Sequence, residues 1–536
     1  MKSFVVTIFV ISCSISVTNT FPNREEGPGL RPHPYSLNGC QPPDCNGTSC
    51  SAAAIPGQGV THVGTPYNPS PIFGPPDDED VPANVPNANP QGPFIPSGPA
   101  INLTLIDGNA ARVKAKGRRQ SCGGGSIFFD TSTVFSNSAS LPPEPSGARA
   151  GNIIFTTANK LAAISLDGGL TFKTIDPTVY SGPNFCCDQV VHYLPSIDRF
   201  AWVIQYGNDA TSGRNKLRVI TFHPRDVTAT SINSWLYADF NEGDFNGVTT
   251  GLDQPGLVIG SQYFYLSASP SALVVLRLPI AAFDVVGTFT YSYTNVNDGT
   301  KAVRSYLTQK PGDTVFWAGH STYGTNMQIF RWPESEDRYY WNDLLIDPWP
   351  SDPANFVSFC PSPLSKTNWA WYTAFATIKA AIRRSSTEVW FAWNAPSGNG
   401  FPNPHIQIIQ IDVSSWPTLR YHQWQIWNSD FAFIYPAMYT NECSDVGVAA
   451  IFGGGTAGLN PSSAVGIINS NGVLTKTLYY LELSQTCENR FGDYLTVRSD
   501  VGAGFQGYVY AEQPLDGGGI QRNARYIVFY PETTIG

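Results

Sequence analysis

Asp188-Gln-Val-Val-His-Tyr193, Arg199-Phe-Ala-Trp-Val-Ile204, Lys216-Leu-Arg-Val-Ile-Thr-Phe222 and Ser234-Trp-Leu-Tyr-Ala238 follow one another in the chain. All four are short runs of β-branched and aromatic residues, and turn-forming residues separate them, so each reads as a strand. The same order returns downstream. Asp253-Gln-Pro-Gly-Leu-Val-Ile259, Tyr263-Phe-Tyr-Leu266, Leu273-Val-Val-Leu-Arg-Leu278 and Thr288-Phe-Thr-Tyr-Ser292 make a second unit. A third starts at Val303-Arg-Ser-Tyr-Leu307, and a fourth holds Val389-Trp-Phe-Ala-Trp393, Ile406-Gln-Ile-Ile-Gln-Ile411 and Tyr421-His-Gln-Trp-Gln-Ile426. A degenerate unit covers Asp445 to Leu483, and another opens at Asp493-Tyr-Leu-Thr-Val497.

Units of four strands, roughly 45 to 70 residues each, are the signature of propeller blades, in which radial packing protects the sheet edges. With a partial unit over Gly151 to Ile175, the expectation is an all-β chain, a six- or seven-bladed β-propeller over 121–536, its two termini completing one blade together.

Ser165-Leu-Asp167-Gly-Gly169-Leu-Thr171-Phe172, inside that partial unit, resembles the Asp-box of secreted sialidase-like propellers. Its chemistry is that of a tight hairpin: Asp accepts backbone hydrogen bonds and Gly supplies positive φ. Arg490-Phe-Gly-Asp-Tyr494 and Phe185-Cys-Cys-Asp-Gln-Val-Val191 also resemble the blade openings of secreted propellers. The resemblance implies a fold; a structural motif of this kind implies no chemistry.

Composition agrees. Aromatic residues make up 13% of the chain and charged residues 14%, with 49 Gly and 43 Pro, which favours strands and turns over helices. The net charge of −9 argues against nucleic acid as a partner, because phosphate contacts need clustered Lys and Arg. Met1-Lys2, the apolar run Phe4 to Ile11 and the small residues that follow have the layout of a secretory signal peptide over 1–20. No later run approaches the ~20 apolar residues of a membrane span. The protein is therefore expected to be secreted and extracellular, with no membrane span.

Residues 21–120 are rich in Pro, Gly and Asn and poor in periodic apolar content, so they read as a disordered arm that cannot bury enough surface to offset its ordering entropy. The arm carries two glycosylation sequons, at Asn46 and Asn102, and ends in the dibasic Arg118-Arg119, which is either a processing site or a solvated basic linker. Beyond Cys13, nine cysteines remain; Cys40, Cys45 and Cys50 fall in the arm. In an oxidising compartment most should pair. Cys186 and Cys187 either close a ring with each other or bridge different blades, and Cys443 with Cys487 is the preferred bond between blades.

Propeller geometry brings two sets of loops to one face: those entering each inner strand and those joining second to third strands. The repeats place Asp188, Asp253, Asp445 and Asp493 at or just before inner strands on this face. Converging carboxylates raise one another's pKa or recruit a cation such as Ca²⁺, and each Asp can instead cap its own turn. Together with His320 and Glu512, Asp188, Asp253 and Asp493 are the candidate acid/base groups. Tyr206, Tyr323, Trp393 and Asn394 are the candidate ligand-binding groups, since an aromatic face beside an amide suits a sugar. Three functions fit: an extracellular module binding a glycan or other polymer, a glycoside hydrolase or polysaccharide lyase using the same carboxylates, and a structural adhesion protein acting through the arm.

Overall fold

The computed structural model describes residues 100–105, 122, 126–136 and, apart from several short stretches, 142–532, together with the backbone of strands Phe4–Ser12 and His62–Gly64. Within them lie seven antiparallel blades. Blade 1 is Ser146–Ala150, Ile153–Ala158, Leu161–Ser165 and Lys173–Ile175; blade 2 is Phe185–Leu194, Arg199–Tyr206, Lys216–Phe222 and Ser234–Asn241. Blade 3 is Gly256–Ile259, Tyr263–Ala268, Leu273–Pro279 and Ser292–Val296. Blade 4 has Thr314–His320, Asn326–Pro333 and Tyr340–Leu345, and blade 5 has Ile378–Arg383, Glu388–Ala395, His405–Asp412 and Arg420–Ile426. Blade 6 is Ala432–Thr440, Val446–Gly454, Leu459–Ile468 and Thr477–Tyr480; blade 7 is Thr496–Ser499, Phe505–Pro514, Ile520–Glu532 and, as its outer strand, Ser126–Ser136.

The innermost segments touch their neighbours all the way round, so the blades form a closed ring. Blade 4 is anchored at the centre by an extended segment. There Ser305 Oγ donates to Ala318 O at 2.6 Å and Thr308 N to Phe316 O at 2.9 Å. Ring closure is made by the early strand, whose Phe128 and Ser126 stand opposite Tyr530 and Glu532. Phe128 and Tyr530 stack at 5.3 Å. Every blade is sandwiched between two others, so its middle strands bury both faces and read as continuous apolar runs. Arg199–Tyr206 and Val446–Gly454 are buried at every position. Phe155 of blade 1, for example, meets Trp202 and Phe222 of blade 2 edge-on at 5.0 and 5.1 Å.

Three sequence expectations need correction. Asp445 does not precede an inner strand: the inner strand of blade 6 is Ala432–Thr440, and Asp445 lies in the next hairpin, on the opposite face. Pro436 hides that strand in the sequence, and it is accommodated by a register shift between Ile434 and Ala437. Cys443 does not pair with Cys487. The bonds are Cys122–Cys443, which fixes the start of the closing strand to blade 6, and Cys360–Cys487, which joins the loop between blades 4 and 5 to the loop between blades 6 and 7. Loops lying side by side along the chain are thus not the ones bonded.

Finally, the arm is not uniformly free of structure. Asn102–Leu105 adds a parallel strand to Thr477–Tyr480, and buried Ile101 is held by Trp427 O and by Asn428 Nδ2, both at 2.8 Å. Asn102 itself is exposed. Phe4–Ser12 pairs antiparallel with the outer strand of blade 2. Asn46, Arg118-Arg119, Cys40, Cys45 and Cys50 lie outside the described residues.

Candidate functional site

The second and third strands of blade 2 are joined by Gly207–Asn215, a loop organised by Asp209. Its carboxylate accepts from Ser212 N at 2.8 Å and Thr211 N at 3.0 Å, bonds that hold its pKa below the usual carboxylate value. Asn215, at the loop's end, accepts from Leu252 N at 2.7 Å and donates to Leu252 O at 2.8 Å, locking the loop to the chain entering blade 3.

Behind the loop, strand periodicity puts Lys216 and Arg218 on one face and their cross-strand neighbour Asp239 opposite Arg218. Asp239 takes Lys216 Nζ at 2.6 Å and a two-pronged contact from Arg218 at 2.6 and 2.8 Å. The cations hold its carboxyl low against the upward push of burial. Lys216 Nζ also sits 4.4 Å from the centre of the Tyr206 ring.

On the other side, Tyr206 pairs with Phe185, and the ladder slips between Ile204 and Tyr206. That irregularity accommodates Cys186 and Cys187, which are bonded to each other with Cα atoms 3.7 Å apart. A cavity of about 450 Å³ opens here, on the face where inner strands begin. Asn184, Tyr206, Asp209, Arg214, Lys216 and Asn241 supply its polar lining. Gly207 stands on its wall; a Cβ at this position would come no nearer than 3.8 Å to Asn184 O and 4.0 Å to Cys186 Cβ.

Of the residues singled out from sequence, Tyr206 lines this cavity. Asp188 is only 7% exposed, next to the paired cysteines, and Asp253 accepts from Gln205 Nε2 at 2.9 Å. His320 is buried against Trp349 and Trp393, with ring centres 5.1 and 5.2 Å away. Trp393 and Asn394 are fully buried, and Asn394 Oδ1 accepts from Tyr435 N at 2.8 Å. Glu512 is fully buried, accepts from Thr486 Oγ1 at 3.3 Å and stands 3.6 Å from Arg522 Nε. Asp493 and Tyr323 lie outside the described residues.

The described ones among these side chains are therefore distributed over several blades, and all but Asp253 are buried. Asn184, Arg214, Lys216 and Asn241 were not among the sequence candidates, although the loop opening Tyr206-Gly-Asn-Asp209 marks the place. Among the described residues, no three His, Cys, Asp or Glu side chains are placed to hold a metal ion.

No family model matches the sequence, and no curated protein matches it. Among solved structures, one likeness is to a protein of unknown function from Dyadobacter fermentans, with 11% identity over 76% of this chain and 99% of that one, TM-score 0.35. Another is to an α-L-arabinofuranosidase from Fusarium graminearum, with 10% identity over 74% and 97% and a TM-score of 0.33. A third is to a PL25 ulvan lyase, with 8% identity over 76% and 84% and a TM-score of 0.32. Likenesses this distant say nothing of what the present chain binds. The blade architecture rests on its own strand pairing.

Proposed function

We propose that this protein is an extracellular propeller that binds a glycan in the cavity on blade 2. The observation carrying this reading is the cavity itself: about 450 Å³, lined by amides, a carboxylate and two cations beside the Tyr206 ring. Hydroxyl-rich ligands are recognised by such convergent donors and acceptors on a rigid wall. The wall is rigid because Asn215 and the Arg218–Asp239 pair tie the loop into two blades.

Binding is favoured over hydrolysis by carboxylate count. A glycosidase needs two carboxyl groups flanking the scissile bond. Among the described residues Asp209 is the one carboxylate lining the cavity; Asp239 is buried behind it and committed to Lys216 and Arg218.

The test is capture of labelled oligosaccharides, acidic and neutral, by the secreted protein, with product release followed by mass spectrometry. Gly207→Phe projects a ring into the cavity where a Cβ meets no close neighbour, so it should abolish capture while leaving the unfolding midpoint within a few degrees of wild type. Capture that survives Gly207→Phe moves the site elsewhere. Products that vanish in Asp209→Asn would make the protein an enzyme.

A further inference from the structure

Successive residues of a strand point to opposite faces of the sheet, so neighbouring cysteines in a regular ladder do not meet. Cys186 and Cys187 are nonetheless bonded, with Cα atoms 3.7 Å apart. The ladder shows how. On one side of them Gln189 stands opposite Ile204, and on the other Phe185 stands opposite Tyr206; between these pairs the inner strand has three residues, Cys186 to Asp188, where its neighbour has Gln205 alone. The bonded cysteines are thus the body of a bulge, and a bulge bends its strand and re-aims the side chains beyond it.

Beyond this bulge stands the wall of the blade 2 cavity. Asn184, at positive φ, accepts the amide of Gly207 on its carbonyl at 3.0 Å, and Tyr206 Oη donates to Ser181 O. Ser181, Asn184, Tyr206 and Gly207 all line the cavity. The ring formed by the two cysteines therefore separates the regular ladder from the chain that shapes the wall. Global stability does not account for such a bond. A disulfide constrains the unfolded chain more the longer the loop it closes, and adjacent residues close the shortest loop there is. Cys122–Cys443 and Cys360–Cys487, by contrast, join positions 321 and 127 residues apart.

We propose that Cys186–Cys187 is a reductively cleaved switch: a dithiol opens it, and the blade 2 cavity loses the wall that holds its ligand. The ligand part of this inference rests on the reading of that cavity as a glycan site. Both cysteines are partly exposed, which gives a small dithiol access. One thiolate of the reductant attacks one sulfur and forms a mixed disulfide, and the other cysteine leaves as a thiolate that takes up a proton. The second thiol of the reductant then displaces the first cysteine. Two electrons have passed to the protein, which holds two thiols, and the reductant is left as a disulfide. Freed, the two side chains are drawn to opposite faces of the strand, and the bulge that positions Asn184 and Tyr206 relaxes.

The test treats the secreted protein with dithiothreitol and alkylates it under native conditions. Both Cys186 and Cys187 should carry the alkyl group in the digest. Amide exchange at Gly207 should quicken by on the order of tenfold. Capture of the labelled acidic and neutral oligosaccharides should weaken roughly tenfold, the scale of re-ordering one or two side chains on binding. Cys186→Ser with Cys187→Ser should show fast exchange and weak capture with or without reductant, at an unfolding midpoint within about 2 °C of wild type. Cys122→Ser with Cys443→Ser, which keeps the ring, should retain the response to reductant even where the other variant does not fold. Cysteines that stay unalkylated, exchange at Gly207 that is equally slow in both forms, or a reductant effect that persists without Cys186 and Cys187 would overturn the proposal. Fast exchange in the reduced form with capture by neither form upholds the switch and overturns the glycan reading alone.

Discussion

Asp239 shows how much of this fold depends on single buried charges. It satisfies Arg218, a fully buried guanidinium, and Lys216 at once. Removing one partner of such a cluster leaves the other charge without compensation. Asp239→Asn is expected to destabilise the protein by about 3–5 kcal/mol, measurable by urea unfolding, and to disturb the blade 2 cavity with it. His405 makes a different prediction. Its ring is buried, stacks on Phe401 at 3.8 Å and shares a hydrogen bond of 2.8 Å with Gln407. Burial draws its pKa from 6.5 down to about 3. Between those values the unfolded chain holds a proton that the native ring refuses, so stability is complete above pH 6.5 and is lost as pH falls toward 3. The slope is about 1.4 kcal/mol per pH unit for one such group. His405→Gln should flatten the curve between pH 7 and 4 by that amount, leaving the part due to His192. Neither residue announces itself in the sequence. Lys216, Arg218 and Asp239 alternate along ordinary strands, and only the pairing of those strands turns the three into a buried cluster.

At the scale of elements, the hairpin at Asp167 is the case where sequence chemistry and local structure coincide. Asp167 Oδ1 accepts from Leu170 N at 3.0 Å and Thr171 N at 2.9 Å, and the turn passes through Gly168 and Gly169 at positive φ. A local motif can be read because all its partners lie within a few residues. The disulfides show the reverse. Cys122 and Cys443 are 321 residues apart, and nothing near either one indicates the other. Their bond fastens the closing strand at its beginning. Cys122→Ser with Cys443→Ser should cost about 2–5 kcal/mol under oxidising conditions, seen as a lower unfolding midpoint. The same midpoint in wild type and variant under reducing conditions would assign the loss to the bond.

For the whole molecule, the ring was legible because four strands recur in one order, and the expectation that the two termini complete one blade agrees with the pairing of Ser126–Ser136 with Ile520–Glu532. The blade count was open between six and seven because the unit over Gly151 to Ile175 read as partial and that over Asp445 to Leu483 as degenerate, the inner strand of the latter being hidden by Pro436. The candidate site was the least legible level. In a ring where both faces of each blade are covered, an aromatic at the end of a second strand can be core or surface. Trp393 and Asn394 went to the core, while Tyr206 reached a cavity. Deleting residues 126–136 should leave Ile520–Glu532 as a bare edge, and such edges associate. Size-exclusion chromatography is expected to show the shortened protein eluting as larger species than the full-length one.

The clasp between Ser126–Ser136 and Ile520–Glu532 also has a consequence in time. The ribosome makes the first of these strands before any blade and the second after all the others. Throughout synthesis the early strand has no partner, and the thiol of Cys122 waits until blade 6 presents Cys443. A chain that stops short of its last strand thus remains an open arc with unpaired strand edges however many blades it has built, and one that stops short of blade 6 also carries an unsatisfied thiol at its start. Incomplete products in this way differ from finished ones in a bare strand edge and, before blade 6, in a free thiol.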